Sequence, residues 1–469
     1  MAPMISRAFT ITRRSRFNKD TLLLLSSLLS ISLLLYLHHL HFNTDTFSTV
    51  QSPPPPSPSL SLRHILFSVG SSSSSLPSRS PYLRLWHNPI SHLNTTFLFL
   101  DHSPPTPHPS LPHIIVPPNS SSLSSGHRLA RIVKDAFALE IPGISWYVFG
   151  DDDTVFFTEN LVRILSKYDH RKWHYIGSGS ESYEQNEKFY FDMAFGGGGY
   201  AISAPLVKVL ARVIDSCLDR YRHLYGSDAR VFACVAELGV RLTIEQGFHQ
   251  VDIRGDLFGM LSAHPLSLVA SLHHIDAVEP IFPGMSRIRA LQHLFKAVSV
   301  DPARILQQTV CYDLANSLTV SISWGYALQV YQGNQLLPEL LSLQRTFRPW
   351  KRGKNVSSTR YMFNTREFPK DPCKRPVVFF LHTVAADTAG VWTNYTRNNF
   401  GNCSRANAIE KLKVISVYSM YQDIDIEQIK APRRDCCDIS SSFDGNMNIQ
   451  MRKCGVDELI AMWRNIKVA

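Results

Sequence analysis

From residue 62 onward, short apolar runs alternate with amphipathic stretches. HILFSV at His64–Val69 predicts a first strand, PYLRLW a short helix, TTFLFLD at 95–101 a second strand and HIIV at 113–116 a third. Residues 127–139, HRLARIVKDAFAL, repeat apolar positions at three- and four-residue spacing, the period of an amphipathic helix. ISWYVF at 144–149 reads as a buried strand that ends at Gly150. A helix over Glu159–Lys167, the strand WHYIGS, a four-glycine run Gly196 to Gly199, a helix over 206–221 and GSDARVFACVAELGV at 226–240 follow. Alternation of this kind points to an α/β layered domain with a mainly parallel sheet. Past about residue 300 the pattern becomes strand-like, as in TVSISWGYALQVY and PVVFFLHTV, and that portion carries six of the eight cysteines. It predicts a second, β-rich part.

The N-terminus follows another rule. Residues 21–40, TLLLLSSLLSISLLLYLHHL, hold no formal charge and have about the length that crosses a bilayer. Arg7, Arg13, Arg14, Arg16 and Lys19 precede them, which predicts a signal-anchor with its N-terminus in the cytosol. A Pro/Ser run, QSPPPPSPSLSL, reads as a spacer. The expected organisation is therefore a cytosolic tail (1–20), an anchor (21–40), a stem (41–61), an α/β domain (62–300) and a β-rich, cysteine-containing region (301–469). Five sequons, at Asn94, Asn119, Asn355, Asn394 and Asn402, and eight cysteines, all beyond residue 216, fit a secretory lumen. The formal charge of +10 suits anionic nucleotides or acidic membranes as well as nucleic acid. Neither an Arg/Lys stripe with interleaved aromatics nor zinc-finger spacing is present, so nucleic acid is not the expected partner.

The chemistry concentrates in WYVFGDDDTVFF, where Asp151, Asp152 and Asp153 stand between two runs of large apolar residues. Buried carboxylates need a partner or a cation. At the carboxyl end of a strand in an α/β sheet, where ligands bind, such a triplet fits a divalent cation and a phosphorylated ligand. The competing reading is a solvated turn or helix cap. Asp228 in GSDAR is either a turn residue or a general base. His249, His264, His273 and His274 are candidates to complete a metal site or are structural histidines. The glycine run matches no phosphate-loop pattern and reads best as backbone approaching backbone or ligand.

Taken in order, YVFGDDDTVF, AFGGGGYAIS, GSDARVFACVAELGV, GFHQ and SLHHIDAVEPIFPGM resemble the plant Fringe-related proteins of glycosyltransferase family 31. The resemblance covers roughly residues 62–300 by motif, and the SISWGYALQVY and APRRDCC stretches look like the same family. It implies a GT-A-like fold, a UDP-sugar donor, Mn²⁺ or Mg²⁺, and inverting transfer to a glycan or glycoprotein acceptor by a type II Golgi membrane enzyme. By position, Asp153 and His274 match the metal ligands, with His273 and His249 as rival histidines. Asp151 and Asp152 match the nucleotide side, Asp152 near the ribose, and Asp228 matches the catalytic base. The family also implies a Cys217–Cys234 disulfide, and an acidic residue beside the base where this chain has Ala229. The alternative is a catalytically silent carbohydrate-binding or scaffolding protein on the same fold.

Overall fold

The computed structural model describes residues 27, 29–38, 60–90, 95–104, 110–351, 356–398, 403–405, 407–421, 426–441 and 445–461. Contacts divide the chain into two units, residues 1–59 and 60–469. In the first, the described residues are helical, and Leu29, Ile31, Leu33, Leu34 and Leu35 are exposed. Among the described residues no helix is long and apolar enough to cross a membrane. The expected tail, nine of the twenty residues of the expected anchor, all but the last two residues of the stem, and the sequons at Asn94, Asn355 and Asn402 lie outside the described residues.

In the second unit the chain forms β1 (Ile65–Gly70), β2 (Thr96–Phe99), β3 (His113–Ile115), β4 (Trp146–Asp151), β5 (Val155–Phe156), β6 (Tyr175–Gly177), β7 (Tyr200–Ser203) and β8 (Leu242–Ile244). All but β5 join one sheet in the order β3-β2-β1-β4-β7-β6-β8. β7 is antiparallel to both its neighbours and every other pair is parallel, so the sheet is mainly parallel as expected.

The period-two pattern of β1 and β4 decides what each face meets. Ile65, Phe67, Trp146 and Val148 point into one core, whereas Leu66, Tyr147 and Phe149 point into another. The second core is covered by three helices: α2 (Ser125–Phe137) follows α1 (Leu76–Trp86), and farther along come α3 (Thr158–Leu165), α4 (Tyr183–Lys188), α5 (Ala204–Arg220) and α6 (Gly226–Glu237). Val133, Leu210, Ile214 and Val231 bring α2, α5 and α6 onto that face. The first core takes Leu83 and Trp86 of α1 and Leu161 of α3, then runs without interruption into Trp324, Phe379 and Tyr395. Those last three belong to the C-terminal region, whose eight-stranded sheet extends from Gln308 to Arg452. It is antiparallel except where Val414–Met420 pairs with Asn446–Arg452. The sequence pattern separates two portions, and the apolar core joins them.

All eight cysteines are paired, as Cys217–Cys234, Cys311–Cys437, Cys373–Cys403 and Cys436–Cys454. The first ties α5 to α6, the pairing implied by the family resemblance. The second closes a separation of 126 residues and so restricts the unfolded chain most. Replacing both Cys311 and Cys437 by serine is expected to lower stability by about 2–5 kcal/mol. A urea titration reads this as an earlier midpoint; an unchanged midpoint contradicts it.

Candidate active site

β4 ends at Asp151, and the chain reverses at once. The Thr154 N–H donates to the Asp151 carbonyl at 3.0 Å, and the Thr154 hydroxyl accepts from the Asp151 N–H at 2.8 Å. This turn sends the three carboxylates in three directions. Asp152 turns back to the loop after β1, where one oxygen accepts from Ser71 (2.7 Å) and Ser75 (2.6 Å) and the other from Arg79 (2.9 Å). Three donors therefore already face Asp152, the residue that the resemblance sets near the ribose. Asp151 opens to the cleft, with 39% of its side chain exposed. Asp153 is fully buried, and neither of its oxygens accepts an aligned hydrogen bond.

Two cations stand against Asp153. Arg79 Nη2 lies 3.2 Å from Oδ2, and His273 Nε2 lies 3.1 Å from Oδ1. Sheet pairing places the histidine. β9 (Phe248–His249) and β10 (Ile253–Gly255) precede β11 (Ser271–Leu272), and β11 pairs antiparallel with β5 so that Leu272 faces Val155. The residue after Leu272 therefore arrives beside the residues before Val155. Nδ1 of His273 is 3.3 Å from the Gln250 carbonyl oxygen, which only accepts. That contact fixes a proton on Nδ1 and presents Nε2 to the carboxylates.

The histidine expected to close the site, His274, is not in this cluster, and its rival His273 is. His274 has a left-handed backbone (φ +53°). Its ring lies between those of His273 (3.8 Å between centroids) and Trp350 (4.4 Å), with Nδ1 3.2 Å from Asp252. His249 is buried elsewhere, between Glu181 (3.0 Å) and His264 (2.8 Å). The two neighbouring rings stay together, and what separates them is the carboxylate each one faces: Asp153 for His273 and Asp252 for His274.

Asp151, Asp153 and His273 offer ligand atoms that all lie within 4.8 Å of one another. Two carboxylates and an imidazole suit Mn²⁺ or Mg²⁺. The buried oxygens of Asp153, without aligned donors, are the atoms a cation would satisfy, so the residues fit such an ion. Another grouping, Cys436, Cys454 and Glu458, has both sulfurs in a disulfide and offers no thiolate.

The glycine run forms the floor. A side-chain carbon at Gly197 would lie 2.1 Å from the His273 ring, and one at Gly196 would lie 2.7 Å from Asp228 Oδ1. These glycines let one loop pass between the metal cluster and Asp228, in the first turn of α6. Ser227 donates to Asp228 Oδ1 at 2.9 Å and fixes its rotation. Beside it, Ala229 is buried against Met193 and Phe195. A second carboxylate at 229 would point into apolar packing, which accounts for the alanine.

The electrostatics follow from this crowding. Burial pushes Asp228 above the usual carboxylate range. Burial, then Asp153 and Asp228, push Asp151 up to about 7 against the pull of His273, and its solvent contact softens that push. Burial opposes the charge on Asp153 too, but His273 and Arg79 outweigh it and hold the group at about 2. The same pairing overcomes the burial of His273 and lifts it from 6.5 to about 9. Arg79, which neutralises two members of the triplet and approaches Asp276 at 3.4 Å, went unnoticed in the sequence. Its only signal there is a basic residue in the Ser-rich stretch after the first strand.

A cavity of about 1120 Å³ lies elsewhere, at the C-terminal sheet beside Phe380, Arg397 and Arg405. Arg397 donates to the carbonyls of Ile409, Glu410 and Leu412, and Arg405 to those of Arg375 and Pro372. These guanidinium groups hold backbone together, and the acidic cluster remains the better candidate for chemistry.

The Fringe-like family profile matches residues 60–257, which include the triplet, the glycine run and Asp228. A second profile, described as a protein of unknown function, DUF604, matches residues 185–437, more than half of the chain. The chain belongs to the Fringe-related proteins of glycosyltransferase family 31. No curated protein matches it. A solved structure described as "Crystal structure of a glycosyltransferase involved in the glycosylation of the major capsid of PBCV-1" is 12% identical, covering 49% of this chain and 98% of that one. Its TM-score of 0.26 is too low to carry an argument. Family membership makes this Fringe-related protein a glycosyltransferase by kind, with a mixed α/β fold.

If His273 is the ligand, His273→Ala weakens Mn²⁺ binding by at least ~10-fold, whereas His274→Ala leaves it near wild type. Calorimetric titration of both variants checks this, and equal losses would contradict it. The raised pKa has a defined sign. The stability that the His273–Asp153 pair contributes is fully present below pH 6.5 while Asp153, held at about 2, stays ionised, and it is lost as pH rises through about 9. A cation must displace that proton, so Mn²⁺ affinity should climb as pH rises toward about 9. Titrations in buffers of different ionisation enthalpy should report proton release; pH-independent affinity would contradict the assignment.

Proposed function

We propose that this protein is a metal-dependent, inverting glycosyltransferase of GT-A-like fold that moves a sugar from a UDP-sugar to an acceptor hydroxyl. The observation that carries the reading is the buried Asp153, its oxygens without aligned donors, grouped with Asp151 and His273. When bound there, Mn²⁺ or Mg²⁺ would neutralise the charge of a departing nucleoside diphosphate. The chain's own residues do the rest. Asp153 and His273 would hold the cation from the depth of the cleft, and Asp151 from its mouth. The glycine run leaves room beside them for the donor. Asp228, fixed by Ser227 and made more basic by burial, takes the proton from the acceptor hydroxyl as that oxygen attacks the anomeric carbon. Attack opposite the leaving diphosphate inverts the configuration.

The same reading places residues 62–469 in the Golgi lumen behind a single anchor at 21–40. An uncharged apolar run after five basic residues, and four disulfides using every cysteine, support it.

One observation favours a second reading. Arg79 already sets a guanidinium against Asp152 and Asp153. A chain that carries its own cation at the triplet suits a silent, carbohydrate-binding protein that needs no metal.

Calorimetry with UDP, with and without Mn²⁺, separates the two. The enzyme reading expects UDP binding that requires Mn²⁺ and is lost in Asp153→Ala, with circular dichroism unchanged. Asp228→Asn should bind UDP normally yet lose about 10²–10⁴-fold in transfer. UDP binding indifferent to Mn²⁺ and to Asp153 would sink the enzyme reading.

A further inference from the structure

The helix that carries Asp228 begins at an exposed aromatic surface. Tyr225, the residue before α6, is 81% exposed, and Tyr190 and Phe191 are 42% and 47% exposed. Tyr225 and Tyr190 belong to a packed group, and Phe191 meets Tyr183 instead at 5.6 Å. Phe189 lies nearly parallel to Tyr225 (6.2 Å between centroids, 23°), and Phe195 meets Phe189 edge-on at 6.1 Å. Tyr190 packs on Phe232 of α6 at 4.8 Å. Phe195 is next in sequence to Gly196, the floor residue against Asp228. Gly226, with φ +82° and open space where a side-chain carbon would stand, supplies the turn that follows Tyr225.

Exposed, contiguous aromatic rings mark an interaction site. Beside a general base, the group that must dock is the acceptor. Sugars present apolar C–H faces that lie flat on aromatic rings, with hydroxyls at the edge. Lys188 Nζ, over the Phe189 ring at 5.2 Å and the Tyr225 ring at 6.0 Å, adds a polar donor to the group. We propose that Tyr225, with Tyr190, forms a stacking platform for a saccharide acceptor next to Asp228. The acceptor is then a glycan whose terminal sugar lies on these rings while its hydroxyl meets the base. This assignment rests on the glycosyltransferase reading above for its catalytic meaning.

The test uses the full chain in detergent on an array of neutral and acidic oligosaccharides, with UDP·Mn²⁺ binding measured in parallel. Wild type is expected to retain at least one oligosaccharide. Tyr225→Ala should weaken that binding by ~10-fold or more, and Tyr225→Phe, which keeps the ring, should retain most of it. UDP affinity should stay unchanged in both variants. Equal glycan binding by Tyr225→Ala overturns the proposal, as does a wild type that binds UDP and no glycan. Self-association abolished by Tyr225→Ala, without glycan binding, would assign the rings to a second copy of the chain and also overturn it. Glycan binding that depends on Tyr225 in a chain that binds no UDP would support the platform while removing the donor reading.

Discussion

Everything about this site depends on how one carboxylate is kept charged out of water. Asp153 is fully buried, and an isolated ionised group in such a position would be driven to neutrality. It stays ionised because His273 and Arg79 approach from opposite sides, one at each oxygen. Neither contact is an aligned hydrogen bond, so the attraction is mainly electrostatic. A divalent cation at the same place would supply more charge and would meet the unused lone pairs directly. On the proposed reading the protein has a charge-balanced form without metal and a chemically sensible form with it, and His273 would be the residue that changes protonation between them.

Long-range pairing produces this arrangement. β5 and β11 are two residues each, yet their register sets the histidine opposite the triplet. The C-terminal region then backs the neighbouring histidine, whose ring lies against that of His273. Trp350 stacks on His274 on one side and carries the Arg254 guanidinium at 4.1 Å. In this way a β-rich region far along the chain bears on the shape of the cleft. The apolar core shared by the two sheets makes that influence rigid.

The strands and helices of the first sheet follow closely from the apolar periodicity, because β1 and β4 alternate between two cores and the helices bear clear stripes. The triplet's importance was also readable, since three carboxylates between aromatic runs demand an explanation. The division of labour inside it was not. Asp152 is tied to Ser71, Ser75 and Arg79, residues more than seventy positions away whose approach depends on the β1–β4 pairing. The choice between His273 and His274 rests on which carboxylate each ring faces, which no hydropathy pattern records. Ala229 looked like a missing acid in the sequence and is an apolar contact in three dimensions. The aromatic platform was invisible for a similar reason: Phe189, Tyr190 and Tyr225 come together only when α4 and α6 fold onto the same side.

The central claim is that Asp153 and His273 jointly hold a divalent cation beside a nucleotide. Anomalous diffraction at the manganese edge, from crystals grown with Mn²⁺ and UDP, addresses it directly. The account predicts one strong peak within coordination distance of Asp153 and of His273 Nε2, with the UDP diphosphate against it and Arg79 displaced from Oδ2. UDP bound with no peak at these residues, or a peak coordinated by His274 instead, would contradict it.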